Sequence, residues 1–302
     1  MTQVADRDAA FPAGPEGATV LPELPLTKVG RPSLWASREL IINLTRREVA
    51  GKYKRTTLGH VWSLLNPLAT MLVYTLVFAV ILKTKPDRGE PSGLHNYALY
   101  LMCGLLPWSF FSNSVTGGMF ALIGNSNLVQ KVYFRRDVLV SSQVFSLLVT
   151  FLFEMLVLVV ALLGFGGMPL PWIPIALVVI VLLTFLGLGF ALLLSVANVY
   201  FRDTQHFVSI AFQLWFYLTP IIYPLSLVQR RLHTDHLLGV SLYDIYELNP
   251  LTRFIQVLRN LLYDNHFPAW GDLAYCLGST VVALVVGGLV FSRFEGRLAE
   301  EL

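Results

Sequence analysis

The chain has 302 residues, of which 55% are hydrophobic and only 14% charged, against roughly 25% charged in an ordinary soluble domain. This excludes a soluble globule and points to an integral membrane protein. The net charge of +3 sits at the borders of apolar runs rather than in one exposed patch, which excludes nucleic acid as a partner.

Residues 1–33, rich in Pro, Gly and Ala, contain no apolar run of the kind a signal peptide needs; they are predicted to be a disordered cytoplasmic tail. Residues 34–302 are predicted to form one transmembrane domain. From 38 to 55, Arg38, Arg46, Arg47, Lys52, Lys54 and Arg55 outnumber Glu39 and Glu48, interleaved with Leu40, Ile41, Leu44, Val49 and Tyr53. That pattern predicts an amphipathic helix on an anionic lipid surface. It runs directly into residues 61–82, which carry no formal charge and have the roughly 20 apolar residues that a bilayer crossing needs.

Further apolar runs cover 96–123, 138–165, 173–196, 207–223 and 273–291. The expectation is thus an all-α polytopic membrane protein with six transmembrane helices. Cys103 and Cys276 lie inside two of these runs and read as packed small hydrophobes rather than a disulfide. The Lys and Arg residues concentrate before the first span, at Lys131, Arg135 and Arg136, at Arg202, and at Arg293 and Arg297; the positive-inside rule then places both termini in the cytoplasm. Between spans five and six, residues 251–263 are apolar but interrupted by Arg253 and Arg259. Thirteen residues are too few to span, which predicts an interfacial or re-entrant helix over the outer mouth. Asn249 and Pro250 suit its start, because proline has no N–H to lose in a first turn.

No phosphate-binding loop is present: Gly51-Lys52 is followed by Tyr53 and lacks the upstream glycine. Glu154 is the one formally charged residue deep within a span. A carboxylate there costs a few kcal/mol, so it should face protein or water, either shaping a channel or as a hydrogen-bonded structural group. With no intramembrane array of charged residues to form an ion path either, pumping by this protein, if it pumps, would draw its work from a separate subunit. His233 and His236 in the outer loop lack a ligand set around them and read as solvated.

Six segments carry a family likeness: RREVAGKYKRTTLGHVWSLLNP (46–67), GLLPWSFFSNSV (104–115), NLVQKVYFRRD (127–137), NVYFRDTQHF (198–207), LTPIIYP (218–224) and NPLTRFIQVLR (249–259). In this order they resemble the permease subunit of polysaccharide-exporting ATP-binding-cassette transporters, the group that exports O-antigen, teichoic acid and related lipid-linked glycans. The chain departs from the family where Arg135 stands, and near Val140, positions at which the family usually has proline.

The resemblance implies a homodimer in the bacterial plasma membrane, bound to two copies of an ATPase that holds ATP and Mg²⁺; the chain itself carries no cofactor, metal or catalytic residue. It implies that residues 127–137 couple the two subunits, with Lys131, Arg135, Arg136 and Asp137 as polar contacts and Val132, Tyr133 and Phe134 as packing. Ordinary membrane-edge cations beside interfacial aromatics would give the same pattern. It also favours spans one and five as the path. Candidates along it are Tyr74, Phe78, Trp108, Phe111, Phe212, Trp215, Phe216 and Tyr217, whose ring faces can pack on sugar C–H faces, together with Glu154. Core packing is the alternative for each ring. A drug exporter of the same superfamily and a membrane enzyme acting on polyprenyl-linked sugars are the rival readings; against the enzyme, the carboxylates are scattered rather than gathered at one membrane face. Sixteen Arg against six Lys suggest a GC-rich genome and make a wall galactan one candidate cargo.

Overall fold

The computed structural model describes residues 37–53, 61–81, 83, 88–131, 134–232, 236–237, 240–241, 246–298 and 301. Helix α1 (Arg38–Tyr53) precedes α2 (Val61–Tyr74), which continues as a wider π-helical stretch, Thr75–Ile81. Then follow α3 (Tyr97–Gly124), the short α4 (Ser126–Lys131), α5 (Asp137–Gly164), α6 (Ile173–Tyr200), α7 (Thr204–Tyr217), α8 (Leu225–Leu232), α9 (Pro250–Arg259) and α10 (Trp270–Phe294). The all-helical expectation has one small exception, a two-residue antiparallel pairing of His236 with Ser241 and Leu237 with Val240.

Helix ends follow local chemistry. Asn96 caps α3, its Oδ1 accepting the N–H groups of Ala98 at 3.0 Å and Leu99 at 3.4 Å. Asn249 caps α9 in the same way, at 3.1 Å from the Leu251 N–H, with Pro250 in the first turn. Three helical segments, Asp137–Gly164, Leu170–Tyr200 and Trp270–Phe294, are each long and apolar enough to cross a bilayer. Helix α3 matches α5 in length at 28 residues but is more polar, carrying Ser109, Ser112, Asn113, Ser114 and Thr116.

The run at 207–223 is not one helix. Helix α7 stops at Tyr217, and its 14 residues rise about 21 Å, short of a hydrocarbon core of about 30 Å. The cause is Pro220, which cannot continue a helix because it lacks the N–H; residues 218–224 form a non-helical segment with Thr219, Ile221 and Ile222 buried. Helix α9 also differs from a helix lying on a surface. Leu251, Phe254, Ile255, Val257 and Leu258 are each at most 1% exposed, packed against α3 and α10.

The centre is α6, which packs on α3, α5 and α10. It approaches α10 so closely that a Cβ on Gly287 would lie 2.1 Å from the Gly189 carbonyl oxygen. Only glycine fits that crossing, as at other close helix contacts in membranes. The buried apolar side chains fall into two clusters. One joins α9 to 97–115 of α3 and 176–186 of α6; the other joins Leu44 of α1 to the first turns of α5, the end of α6, Phe291 and Leu298. Cys103 and Cys276 are free and fully buried in the first.

Helix α1 lies along α5. Thr45 Oγ1 donates to the Ser142 carbonyl at 3.5 Å, and Arg47 to Asn125 Oδ1 at 3.0 Å. Its Leu44 is buried by protein, while Leu40 and Ile42 are exposed. Part of the predicted lipid-facing side is therefore taken by the helix bundle.

Candidate functional site

The two predicted path spans and α3 supply aromatic rings to one connected network. Tyr74 contacts Phe78 and Phe216 at centroid distances of 6.2 and 6.1 Å. Phe216 contacts Trp108 at 5.6 Å, and Trp108 contacts Phe212 and Trp215, both at 6.2 Å. Phe111 closes on Phe212 at 6.0 Å and on Trp215 at 5.6 Å. All eight predicted rings belong, since Tyr217 lies 5.3 Å from Phe216. Sequence reasoning missed Phe190 of α6, which contacts Phe111 at 5.6 Å and Trp215 at 6.0 Å; it sits in an unbroken apolar run and gave no signal.

Burial grades the rings. Phe111 is fully buried and Trp108 is 6% exposed, so protein already covers their faces. Tyr74, Phe78, Phe212, Trp215 and Phe216 are half-buried, and Tyr217 is exposed. Trp215 is fixed in orientation: its Nε1–H donates to Asn249 Oδ1 at 2.9 Å, Asn249 Nδ2 donates to Thr219 Oγ1 at 3.0 Å, and Thr219 Oγ1 donates to the Trp215 carbonyl at 2.8 Å. That circuit ties α7 to the cap of α9.

The non-helical segment beside these rings is satisfied carbonyl by carbonyl. Arg259 donates to the Pro220 carbonyl and, at 2.6 Å, to that of Ile221. Tyr97 and Tyr100 donate to the carbonyls of Ile222 and Tyr223, at 2.8 and 3.4 Å. Irregular backbone within a membrane needs such internal partners. Arg259 is 6% exposed, and its guanidinium sits 3.9 Å over the Tyr100 ring, a cation–π contact of the strong, desolvated kind. Room for it exists because residue 104 is glycine: a Cβ there would lie 2.7 Å from an Arg259 terminal nitrogen.

Glu154 is not part of the aromatic network. It stands on α5 and lines a cavity of about 260 Å³ with Lys52, Thr70, Ser109, Asn113 and Thr150. The separation from the rings has a plain cause, since α5 packs on α3 and α1 rather than on α7. Lys52 is half-buried as a residue but its Nζ is enclosed, without a hydrogen-bond partner among the described residues. Burial lowers its proton affinity below the usual lysine range, with Glu48 and Glu154 acting in the opposite sense. The sequence shows Lys52 only as one cation of an amphipathic helix, about 100 residues from Glu154.

At the start of α5 lies the predicted coupling turn. Val132 and Tyr133 fall outside the described residues. Lys131 ends α4 and is exposed, and Phe134 is half-buried against the second apolar cluster. Arg135 pairs with Asp137 at 2.5 Å, and the Arg136 N–H donates to Glu295 Oε1 at 3.2 Å. The turn is thus braced both on the start of α5 and on the residue just after α10.

If the half-buried rings guide a substrate, removing their exposed faces should matter more than removing the buried ones' neighbours. Tyr217→Ala should lower transport at least about fivefold while leaving subunit assembly and thermal stability near wild type, because an exposed ring contributes little to folding; Phe216→Ala should lower transport as much but also cost some stability, since that ring packs on Trp108 and Tyr74. Transport at the wild-type rate in both variants would assign the network to packing alone.

The sequence profile of the ABC-2 type transporter family matches residues 39–263. The chain is 32% identical over 271 residues to the O-antigen export system permease protein RfbA of Myxococcus xanthus, covering 89% of this chain and 97% of that protein. A permease of the same name from Klebsiella pneumoniae is 30% identical over 269 residues, covering 87% and 95%. The polysialic acid transport protein KpsM of Escherichia coli is 23% identical over 259 residues, covering 82% and 91%. Matched over most of its length, and with apolar helices able to cross a bilayer, the chain belongs to the ABC-2 type transporter family as a membrane permease.

Proposed function

We propose that this chain is the transmembrane subunit of an ATP-driven exporter that moves a lipid-linked polysaccharide from the cytoplasmic to the outer face of a bacterial plasma membrane. The observation that carries this reading is the near full-length similarity to permeases named for O-antigen export. Six crossings are supplied by α2 with its π-helical extension, α3, α5, α6, α7 with residues 218–224, and α10, with both termini cytoplasmic. Two copies flank the path. In support, α7 presents Phe207, Ile210, Leu214 and Tyr217, and α2 with its π-helical extension presents Leu65, Leu72, Val73 and Leu76, as exposed apolar faces beside the aromatic network; a second copy and lipid would cover them.

On this reading ATP and Mg²⁺ are held by two copies of a separate ATPase, and the turn at 127–137 transmits its closure. Half-buried rings suit a non-ionic polymer, which needs many weak contacts rather than charges that would hold it in place. The purified chain should show no ATP hydrolysis above background, and hydrolysis should appear when the ATPase is added. Robust activity from a preparation free of that partner would overturn the proposal.

A further inference from the structure

On the reading that the chain exports a lipid-linked glycan, we infer that the crevice between α2, α3 and α5 binds the lipid end of that substrate, the phosphoryl-sugar head at Lys52 and the apolar chain beyond Glu154. Two cavities lie end to end there and share Pro67 and Glu154. The first, about 260 Å³, is the polar one that holds Lys52, Ser109, Asn113 and Thr150. The second, about 240 Å³, is lined by Met71, Leu99, Met102, Val157, Ala161 and Phe165.

The lining residues advance in opposite senses along α3 and α5, from Asn113 back to Asn96 and from Leu147 forward to Phe165. At 1.5 Å per residue the crevice is about 25 Å long. Its two ends ask for different chemistry. Among the described residues no acceptor reaches the Lys52 Nζ; an enclosed ammonium in that state is costly, and a phosphoryl oxygen supplies an acceptor. Glu154 accepts, and Asn113, Ser109 and Thr150 donate and accept, a mixture matched to sugar hydroxyls rather than to a bare anion. A wholly apolar ligand would leave Lys52 unpaired, and a free sugar phosphate would leave the far half unfilled.

Polarity also runs in the right direction. The polar end is nearer the start of α5, the end with Arg135 and Arg136, which the positive-inside rule puts in the cytoplasm. An amphiphile of the cytoplasmic leaflet therefore enters with its head and tail already oriented.

The test uses the full chain with its ATPase in nanodiscs and a photoprobe, farnesyl-phosphate-linked N-acetylglucosamine with a diazirine at the far end of the chain. Crosslinks are expected on residues 99–106 of α3 and 157–165 of α5. Lys52→Met and Val157→Trp should each reduce labelling at least about tenfold. Lys52→Arg should retain it, and Val282→Trp, in the separate groove between α6 and α10, should leave it unchanged. Free N-acetylglucosamine phosphate and phosphatidylglycerol at equal concentration should not compete. Labelling elsewhere, wild-type labelling in a folded Lys52→Met or Val157→Trp, or equal competition by phosphatidylglycerol overturns the inference; should Val157→Trp not fold, Lys52→Met decides. Export by the same preparation separates the two claims: export without labelling removes this site and keeps the exporter, and labelling without export does the reverse.

Discussion

Replacing Arg259 with Met is expected to destabilise the protein more than any other single change at a polar side chain considered above. The guanidinium serves the Pro220 and Ile221 carbonyls at once, and the substitution leaves both without a donor where water cannot replace it. Each unpaired buried carbonyl costs about 1–3 kcal/mol, and loss of the Tyr100 contact adds about 2 kcal/mol when desolvated. Removing a buried charge returns some of its desolvation cost, which is why replacing a whole buried ion pair can be neutral. Here the acceptors stay behind, so the loss wins. Arg259→Met should give a strongly reduced yield of monodisperse protein and a melting temperature several degrees lower in detergent. Arg259→Lys, whose ammonium keeps the charge but lacks the planar fork that spans both carbonyls and stacks on Tyr100, should fall between. Gly104→Leu should resemble Arg259→Met, because it fills the guanidinium's space without touching the arginine. Wild-type melting in both Arg259→Met and Gly104→Leu would mean that the 218–224 segment is held by other contacts.

Phe134→Ala is expected to separate ATP hydrolysis from export. Phe134 is half-buried on the second apolar cluster, so one side of the ring anchors the turn and the other remains free for a partner. Truncating an aromatic interface anchor typically costs about 2 kcal/mol, roughly a 30-fold weaker association at 1.4 kcal/mol per tenfold. Coupling between two sites requires an element that contacts both, and this turn is braced through Arg136 to Glu295 and through Asp137 to the first turn of α5. Binding of the ATPase, measured by titration in nanodiscs, should weaken by about that factor, and transport per ATP should fall. Trp270→Ala, 76% exposed at the start of α10, should alter neither. Unchanged affinity and unchanged transport per ATP in a correctly inserted Phe134→Ala would place coupling elsewhere.

How much of this was legible in the sequence depends on the range of the interactions. Long apolar runs gave α3, α5, α6 and α10 to within a few residues, since each helix satisfies its own backbone. The aromatic candidates also came together, because their spacing on α3 and α7 puts them on facing sides. The end of α7 was hidden: Pro220 stands among Leu218, Ile221 and Ile222, and the run reads as continuous. The depth of α9 was hidden by Arg253 and Arg259, which look like surface cations. One is in fact paired with Glu247 and Asp272, both at 2.5 Å, and the other with backbone carbonyls. Glu154 was expected to face protein or water, and it lines cavities between helices, but its neighbour Lys52 belongs to another helix, and nothing local to either residue announces the other.

The most direct test of the account is transport in proteoliposomes that contain this chain and its ATPase, with a lipid-linked polysaccharide supplied on the ATP side. The glycan should become protected in the opposite compartment only when both subunits, ATP and Mg²⁺ are present, and omitting either protein should abolish it. Glycan movement without the ATPase, or ATP hydrolysis by the assembled pair with no glycan moved, would contradict the account.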